Sequence, residues 1–387
     1  MPHLRRGGQP GQAAGRGGTG HPLSAHRDRL LAVRRGPCGD ALRGALRNRA
    51  GAARPAGREG GPVTPAVLYS CSFVPAEWVA AHGVRPCRTL PASGPASAWL
   101  AADMGLCPYA RAFALEARAG EADAVVVTTL CDQMRRVAEI IARDSPRPVF
   151  LMHLPTTWQS AASRAYYLDE LRRLGRFLVQ LGGAAPSDGD LAAVMLQYDS
   201  ARAALRALRG RVSPRRFSEA IAEFHRTGAV TSDALPAAAP RGVPIALLGA
   251  PMVRNHFWLF DLIEEAGGHV ALDATDSGER TLPAPFAADR LHTAPLEELA
   301  DAYFGHIPHA FRRPNDALYQ WLGRELARSG AKGLIVRRYV WCDTWHAEVE
   351  RLREWASVPV LDLDVNGGGD AEGRAANRIQ AFIEALR

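Results

Sequence analysis

The sequence predicts an α/β protein in which two Rossmann-like parallel-sheet domains flank a helical insert, with a disordered N-terminal extension in front. Apolar β-type runs alternate with helical patterns over residues 63–160 and again over 243–387. This alternation is typical of parallel sheets. Between the two regions, residues 161–230 repeat Ala, Leu, Arg and Tyr at helical spacing without β-type runs. The expected architecture is therefore sheet domain, helical subdomain, sheet domain.

The first 62 residues differ in composition from the rest. They are rich in Gly, Arg, Ala and Pro, and carry 12 Arg against 3 acidic residues. Such a segment buries little apolar surface, so residues 1–62 are predicted to be disordered or a spurious extension, and Cys38 within them to have no function. The remainder has 35 basic and 37 acidic residues. Because nucleic-acid binding needs a basic face on a folded domain, this near-neutral body indicates no nucleic-acid partner.

In the first sheet domain, apolar runs predict strands and the segments after them predict helices. Pro75 suits the first turn of a helix, and Gly83 suits its end. The predicted strands are 67–73, 124–130 and 148–154, and the predicted helices are 75–82 and 133–143.

The same reasoning predicts the elements of the insert and of the second sheet domain. Three helices are predicted at 161–181, 190–208 and 215–226, and a stretch with Gly, Ser and Pro at 227–242 is a predicted linker. The second domain has predicted strands 244–249, 269–273, 333–341 and 358–364, and predicted helices 254–266, 315–329, 344–356 and 373–386.

Three cysteines stand at the ends of predicted elements in both sheet domains. Cys131 and Cys342 each follow an apolar β-type run, and Cys107 begins a helix-like stretch. Strand ends are where sites collect in α/β sheets, and a helix start stabilises a thiolate. Three converging thiolates would hold iron–sulfur or zinc and leave one position open. The opposing interpretation is that each cysteine is a buried apolar side chain. The close cysteine pairs of structural zinc sites and the ferredoxin runs are absent from the sequence.

Other polar features have two interpretations each. His153, at a strand end, is either a proton donor or a core or loop-capping histidine. Arg135 and Arg136 either neutralise a cluster or reach a CoA phosphate, or they form a solvated helix face. The turn at residues 248–251 either cradles a phosphate at a helix N-terminus or is purely structural, and it lacks the G-x-G-x-x-G and phosphate-loop patterns.

The sequence also sets expectations about location. No apolar run reaches the roughly 18 residues of a membrane span, and no signal peptide is recognisable. The protein is therefore expected to be cytoplasmic and to have no membrane partner. Six cysteines without close pairing do not indicate a disulfide framework.

Five segments occur in a characteristic order and spacing. They are Tyr69–Glu77; Leu106–Tyr109; Thr128–Asp132 with Arg135 and Arg136; Trp341–Trp345 with Glu348; and Asp362–Asp364 with Asn377–Glu384. Together they resemble the 2-hydroxyacyl-CoA dehydratase D-component family, which also includes benzoyl-CoA reductase subunits and double-cubane cluster proteins. The resemblance covers about residues 66–387. No single segment is specific, but their combination is.

The resemblance implies a [4Fe–4S] cluster on Cys107, Cys131 and Cys342, with the fourth iron position left to water, a substrate oxygen or a sulfide. Cys71, in the first segment, is the main rival ligand. The resemblance also implies an acyl-CoA substrate. The expected substrate-binding residues are Ser72, Glu77, Arg135 and Arg136. No catalytic residue is assigned.

The implied partners are a paralogous dehydratase subunit in a heterodimer, or a second copy in a homodimer, and an ATP-dependent iron–sulfur activator protein. The implied activity is that of an anaerobic hydro-lyase that removes water from a 2-hydroxyacyl-CoA thioester through a ketyl radical. One-electron reduction of the thioester expels the hydroxyl and acidifies the β-position, and an open iron site would act as a Lewis acid.

Three alternatives to this activity stay open: a benzoyl-CoA reductase-type subunit, a homodimeric double-cubane reductase of small molecules, and a non-enzymatic two-lobed ligand-binding protein. The chain departs from the family pattern in its arginine-rich front end, at Cys87, where small apolar residues are usual, and in the irregular segment 285–313. These departures leave the identity of the acyl group open.

Overall fold

The computed structural model describes residues 64–92, 105–120, 122–230, 241–365 and 371–387. Its framework is two parallel four-stranded sheets. The first contains β1 (Ala66–Tyr69), β2 (Arg85–Arg88), β3 (Ala124–Thr128) and β4 (Val149–Met152), in the spatial order β2-β1-β3-β4. The second contains β5 (Val243–Gly249), β6 (Gly268–Thr275), β7 (Gly333–Arg338) and β8 (Val360–Asp364), in the order β6-β5-β7-β8. The predicted α/β class with two parallel sheets is confirmed.

Both sheets have the same winding order, and in each the order reverses between the first strand and the third. In α/β proteins, ligands bind outside the carboxyl ends of the strands at this reversal. Strands β1 and β3 are buried along their whole length because helices cover both faces of a parallel sheet. Their Ala-, Val- and Leu-rich sequences therefore form near-continuous apolar runs.

Helices alternate with the strands or follow one another in the described residues. They are α1 (Ala76–Ala81), α2 (Pro108–Ala119), α3 (Asp132–Asp144), α4 (Ala161–Gln180), α5 (Asp188–Ala207), α6 (Pro214–Thr227), α7 (Trp258–Glu265), α8 (Ala288–Thr293), α9 (Pro295–Ala300), α10 (Asp316–Ser329), α11 (Asp343–His346), α12 (Val349–Trp355) and α13 (Ala371–Ala385). Helices α4, α5 and α6 occupy the predicted insert, although its boundaries as a subdomain stay a prediction.

The structure differs from the sequence prediction at several elements. Strand β2 was not predicted, because its sequence Arg-Pro-Cys-Arg has no apolar run; as an edge strand it tolerates a proline. The predicted helix 344–356 is two helices, α11 and α12. The irregular segment 285–313 contains α8, α9 and a π-helix at Asp301–Gly305. The predicted extension 1–62 and residues 231–240 of the predicted linker lie outside the described residues.

One apolar core is shared by the two sheets. Val125 and Val127 of β3 lie in the same buried cluster as Leu248 of β5 and Val336 of β7. Cys107 belongs to this cluster, and Cys87, Cys131 and Cys342 pack against it. The shared core therefore brings cysteines from distant parts of the sequence to the junction of the two sheets.

Candidate functional site

Cys107, Cys131 and Cys342 each occupy the N-cap position of a helix, directly before α2, α3 and α11. Cys131 follows the end of β3, and Cys342 follows the end of β7. Both strands border the reversal of winding order in their sheets. Each sheet thus presents a cysteine where α/β proteins bind ligands.

Backbone amides face these sulfur atoms. Cys107 Sγ accepts a hydrogen bond from the Ala110 amide at 3.4 Å. For Cys131 and Cys342, the amide three residues further along the chain lowers the pKa of the thiol. The Cys107 amide in turn donates to Gln133 Oε1 at 2.7 Å, which joins the start of α2 to α3. The partially positive helix ends favour the thiolate form of the three cysteines.

Burial opposes that effect. It raises the pKa of the Cys107 thiol, and it raises the pKa values of Cys131 and Cys342 to about 12. A negative charge on Cys107 raises the pKa of both other thiols, and one on Cys131 raises that of Cys342. Ionisation of one of these thiols therefore opposes ionisation of the others. Deprotonation of all three requires a positively charged partner.

The charge of one buried arginine acts on this group. Arg337, near the end of β7, is fully buried, and its positive charge lowers the pKa of Cys107 and Cys342. Neither its Nε nor the nearby Tyr339 hydroxyl has a partner that meets hydrogen-bond geometry among the described residues. An orphaned donor on a buried cation fits a bound anionic group, such as an iron–sulfur cluster on three thiolates.

Within the described parts of the chain, no three His, Cys, Asp or Glu side chains are arranged to hold a metal ion. A [4Fe–4S] cluster takes its cysteines on separate iron atoms, so its ligands stand further apart than those sharing one ion. The residues present therefore fit the cluster in their chemistry and in the buried positive charge beside them.

Two other cysteines were considered from the sequence. Cys71, just after β1, accepts a hydrogen bond from the Phe73 amide at 3.4 Å, and a charge on it raises the pKa of Cys131. Cys71 packs against a different apolar cluster from the other three cysteines, and it stays the rival ligand. Cys87 lies in β2 opposite Leu68, and the charges that influence its pKa come from arginine and glutamate side chains.

Ser72 and Glu77, the first two expected substrate-binding residues, are both buried. Glu77 forms an ion pair with Arg202 and accepts a hydrogen bond from the Tyr303 hydroxyl at 2.7 Å. These partners join α1 to α5 and to the π-helix. The Glu77 carboxylate thus contacts groups of the protein itself, and its role in substrate binding stays a prediction.

Arg135 and Arg136, the other two, are exposed on the first turns of α3. Arg135 Nη1 lies 2.8 Å from Asp132 Oδ1 at the surface. His153 follows β4 and is exposed, and its amide donates to Glu170 Oε2 at 2.6 Å. The two arginines are therefore accessible to an anionic ligand on the helix that begins at Cys131.

The turn at residues 248–251 packs against Arg337. The carbonyl oxygens of Ala250 and Pro251 accept from Arg337 Nη1 at 3.2 and 2.9 Å, and the Ala250 amide donates to the Arg337 carbonyl at 3.1 Å. Gly249 has φ +134°, and a Cβ there would lie 1.9 Å from the Arg337 carbonyl oxygen. These contacts favour the structural interpretation of the turn.

A buried polar network in the cleft between the sheets was missed by the sequence analysis. The Asp276 carboxylate forms an ion pair with Arg280, lies 3.1 Å from His309 Nε2 and accepts from Trp345 Nε1 at 2.9 Å. Arg88, from the other sheet, donates to the Asp276 carbonyl at 2.8 Å. These residues are scattered in the sequence and have no common spacing, so only the folded chain brings them together.

A small cavity of about 10 Å³ adjoins this network and is lined by Ser70, Arg88, Tyr109, His225, Asp276 and Ser277, among others. It has room for about one water molecule. Burial, assisted by the charges of neighbouring arginines, moves the pKa of the His309 imidazole far below its usual value. The network thus ties the two sheets together beside the cysteine group.

Comparison with known proteins gives one family match. The family model described as 2-hydroxyglutaryl-CoA dehydratase, D-component, matches residues 71–386. Comparison with curated proteins gives no match. None of the helices in the described residues has the length and apolar character needed to cross a membrane.

Two solved structures of the SBP FpvC from Pseudomonas aeruginosa were also found. The Ni²⁺ complex is 15% identical and is covered over 97% of its chain, and the Mn²⁺ complex is 13% identical and is covered over 99%. Each alignment covers 84% of the present chain with a TM-score of 0.21, which is too low to support a structural conclusion.

Proposed function

We propose, since this chain belongs to the 2-hydroxyglutaryl-CoA dehydratase D-component family, that it is the iron–sulfur subunit of a 2-hydroxyacyl-CoA dehydratase. Cys107, Cys131 and Cys342 would hold a [4Fe–4S] cluster. The observation that carries this proposal is the placement of three cysteines, one buried and two partly buried, at helix N-caps around the apolar core that both sheets share. When bound, such a cluster supplies one-electron chemistry and a Lewis-acidic iron.

The proposed reaction removes water from a 2-hydroxyacyl-CoA thioester. One electron enters the thioester carbonyl to form a ketyl radical, hydroxide leaves C2, a proton leaves C3, and the electron is given back. The reaction is redox-neutral overall, so one injected electron serves many turnovers. We propose that an ATP-dependent iron–sulfur activator protein supplies it, in an anaerobic, cytoplasmic setting, and that the chain pairs with a paralogous subunit or a second copy of itself.

The chain's own residues would hold and shield the site. Apolar residues of both sheets surround Cys107 and exclude water. Amides at the starts of the helices and the Arg337 guanidinium stabilise negative charge on the sulfur atoms. Arg135 and Arg136 lie exposed on α3, where they would contact the phosphates of CoA. A charge-assisted contact of this kind positions a substrate without taking part in its chemistry.

Iron and sulfide analysis of anaerobically purified protein tests the cluster. The wild-type chain is expected to bind about four iron atoms. Cys107→Ser, Cys131→Ser and Cys342→Ser should each lose most of the iron. Cys87→Ser is the matched control and should keep it, since Cys87 lies in edge strand β2 and not at a helix N-cap. Loss of iron in Cys71→Ser together with full retention in one of the three variants would overturn the ligand set.

Assays of substrate turnover distinguish the related functions. With partner and activator present, turnover of a 2-hydroxyacyl-CoA supports the dehydratase. Ring reduction of an aryl-CoA supports a benzoyl-CoA reductase-type subunit instead. Turnover of small molecules by this chain and the activator alone, with no CoA ester accepted, supports a double-cubane reductase. A chain that binds no iron and turns over none of these substrates is a ligand-binding protein.

A further inference from the structure

Arg88, the last residue of β2, is a buried cation whose direct contacts are all to uncharged groups. Its Nε atom donates to the Ser70 carbonyl at 3.0 Å, and Nη2 donates to the Asp276 carbonyl at 2.8 Å. Its Nη1 atom lies 2.9 Å from His225 Nε2, which is the acceptor because a guanidinium only donates. In the described part of the chain, Arg88 has neither a carboxylate within ion-pair distance nor an aromatic ring under its guanidinium.

The other arginines that are buried in the described residues do have such compensation. Two are paired with carboxylates, and two lie against aromatic rings, whose faces attract a cation. The pairs are Arg202 with Glu77 and Asp199, and Arg280 with Asp276; the ring contacts are Arg312 at 4.7–5.2 Å from three centroids, and Arg337 at 4.2 Å from the Tyr339 centroid. Because burial of an uncompensated charge is unfavourable, the environment of Arg88 favours an additional anionic partner.

Arg88 borders the cavity of about 10 Å³ at the carboxyl ends of strands from both sheets. Ser70 follows β1, and Asp276 and Ser277 follow β6; all three line the cavity. Strand ends of this kind are where α/β proteins bind ligands. The one carboxylate among the described lining residues, that of Asp276, is already paired with Arg280. The cavity therefore presents the positive charge of Arg88 without a neutralising group.

The cavity adjoins two of the helices that begin at candidate cluster ligands. Tyr109, the second residue of α2, lines the cavity, and Cys107 is the N-cap of that helix. Trp345, in the helix that begins after Cys342, donates from Nε1 to the Asp276 carboxylate at 2.9 Å. The cavity thus lies next to the place where the proposed reaction occurs.

We propose that Arg88 and this cavity receive the hydroxide that leaves C2 of the substrate. The inference rests on the proposed function and deepens it by assigning a residue to the leaving group. Hydroxide has one heavy atom, so it matches a cavity with room for about one water molecule, and it supplies the counter-charge of Arg88.

The step balances in atoms and charge. In the ketyl radical anion, the C2–O bond breaks with both of its electrons going to oxygen, which leaves a neutral enoxy radical and hydroxide. The proton later released from C3 converts the hydroxide to water. Because negative charge develops on the oxygen only as the bond breaks, a cation at this position stabilises the transition state more than the bound substrate.

The anchoring of Arg88 suits this role. A guanidinium carries five N–H donors, and three contacts to neighbouring groups hold this one in place. Two donors are then left for an oxygen in the cavity. A donor that is fixed before the reaction needs no reorganisation when the charge appears.

Fluoride is the probe for the anion site, because it is isoelectronic with hydroxide and close to it in size. Its binding to the purified full-length chain is measured by fluorine NMR, with chloride, a larger anion, holding the ionic strength constant. Arg88→Gln should weaken fluoride binding about ten- to a hundred-fold. Arg85→Gln, which changes an exposed arginine of the same strand, is the control and should bind like wild type. A wild-type chain that binds no fluoride, or equal affinity in Arg88→Gln, overturns the inference.

A second variant keeps the charge and removes the space. Ala222 lines the cavity from α6, so the larger side chain of Ala222→Leu would occupy the volume available to the anion. Fluoride binding should be lost although Arg88 is intact, and circular dichroism reports whether the chain is folded. This variant tests the inference even if Arg88→Gln does not fold. Wild-type fluoride affinity in folded Ala222→Leu overturns the assignment of the cavity.

Kinetics test the role in the reaction. With the partner subunit and activator present, Arg88→Gln should lower kcat about a hundred-fold and change KM little, as expected for a donor to a developing negative charge. A 2-chloroacyl-CoA, whose leaving group needs less stabilisation, should lose much less activity in the same variant. An equal loss with both substrates overturns the role of Arg88 at the leaving group.

Failure of the proposed function gives a different result. A wild-type chain that binds no iron and turns over no 2-hydroxyacyl-CoA contradicts the proposed function, whereas fluoride binding that depends on Arg88 would still support the anion site. A chain that turns over a 2-hydroxyacyl-CoA, but binds fluoride equally with and without Arg88, contradicts only the further inference.

Discussion

At the scale of single residues, buried charges account for most of what the sequence could not reveal. Glu77 was expected to bind substrate, yet it lies fully buried between Arg202 and Tyr303. A glutamate in a recognisable motif has the same sequence signature whether its partner is a ligand or an arginine 125 positions away. Only the fold identifies that partner.

Glu77→Gln is therefore predicted to destabilise the protein by about 1–3 kcal/mol, because it removes one of the two carboxylates that pair with Arg202 and leaves Asp199 as the other. Urea unfolding followed by circular dichroism measures the change. Glu139→Gln, on the exposed face of α3, is the control and should change stability little. A raised KM without loss of stability would instead support the substrate-binding role of Glu77.

A second buried carboxylate makes stability depend on pH. Burial raises the pKa of Glu279 from 4.5 to about 7, although Arg209, at 3.1 Å, opposes the shift. The folded chain thus holds this proton more tightly than the unfolded chain does. The stabilisation is fully present below about pH 4.5 and is lost as the pH rises through about 7.

Glu279→Gln, which does not ionise, is expected to remove this component of the pH dependence, on the order of 2 kcal/mol between pH 4.5 and 7.5. The readout is the slope of unfolding free energy against pH. Wild type and Glu139→Gln should share one slope. An identical slope in Glu279→Gln would show that the carboxyl group titrates normally in the folded chain.

At the scale of elements, turns after strands determine where functional groups lie. Cys107, Cys131 and Cys342 share one local geometry: each is the N-cap residue where a strand end or a loop leads into a helix. The turn after β5 has a different role. Its glycine adopts a backbone conformation that other residues rarely adopt, and this lets the turn close on Arg337.

Gly249→Ala is predicted to destabilise the protein by more than about 3 kcal/mol, because an unfavourable φ adds to a backbone collision. Thermal unfolding provides the comparison. Gly323→Ala is the matched control: it lies inside α10, and its Cβ would make ordinary contact with Trp355 at 3.5 Å. This control should be neutral or stabilising by up to about 1 kcal/mol. Equal effects at the two glycines would contradict the assigned geometry.

At the scale of the whole molecule, the two sheets act as a pair. Each has the same strand order, and each contributes a cysteine after a strand that borders its reversal point. Their shared core and the contacts around Asp276 hold the two reversal points together. At this junction Cys107 is buried, and Cys131 and Cys342 are partly exposed.

Substrate binding concerns the whole molecule, because turnover is measured with the proposed partner subunit and activator protein present. Replacing Arg135 and Arg136 together by Ala is predicted to raise the KM for the acyl-CoA severalfold with kcat little changed, since binding of the anionic CoA is lost equally in the ground and transition states. Iron content should stay at the wild-type level. Arg143→Ala, at the other end of α3, is the control. A fall in kcat at unchanged KM would contradict a binding role.

The sequence by itself determined the α/β class, the alternation of strands and helices, and the three cysteines as the candidate site. These depend on local information: apolar runs, the residues at helix starts and stops, and short segments whose order resembles one family. Strand β2 was not predicted for the same reason. Its sequence, Arg85-Pro86-Cys87-Arg88, carries no local strand signal, and the strand is stabilised by pairing with β1.

Tertiary structure alone decided the electrostatics of the site. The partners of Glu77, the hydrogen bond of Arg88 to Asp276, and the contacts of Arg337 with the turn after β5 all join residues that are far apart in sequence. Charge interactions and burial depend on distance in space, and the chain sets those distances only when the two sheets pack on their common core. The three thiols can therefore be identified from the sequence, whereas the charges around them are determined by the fold.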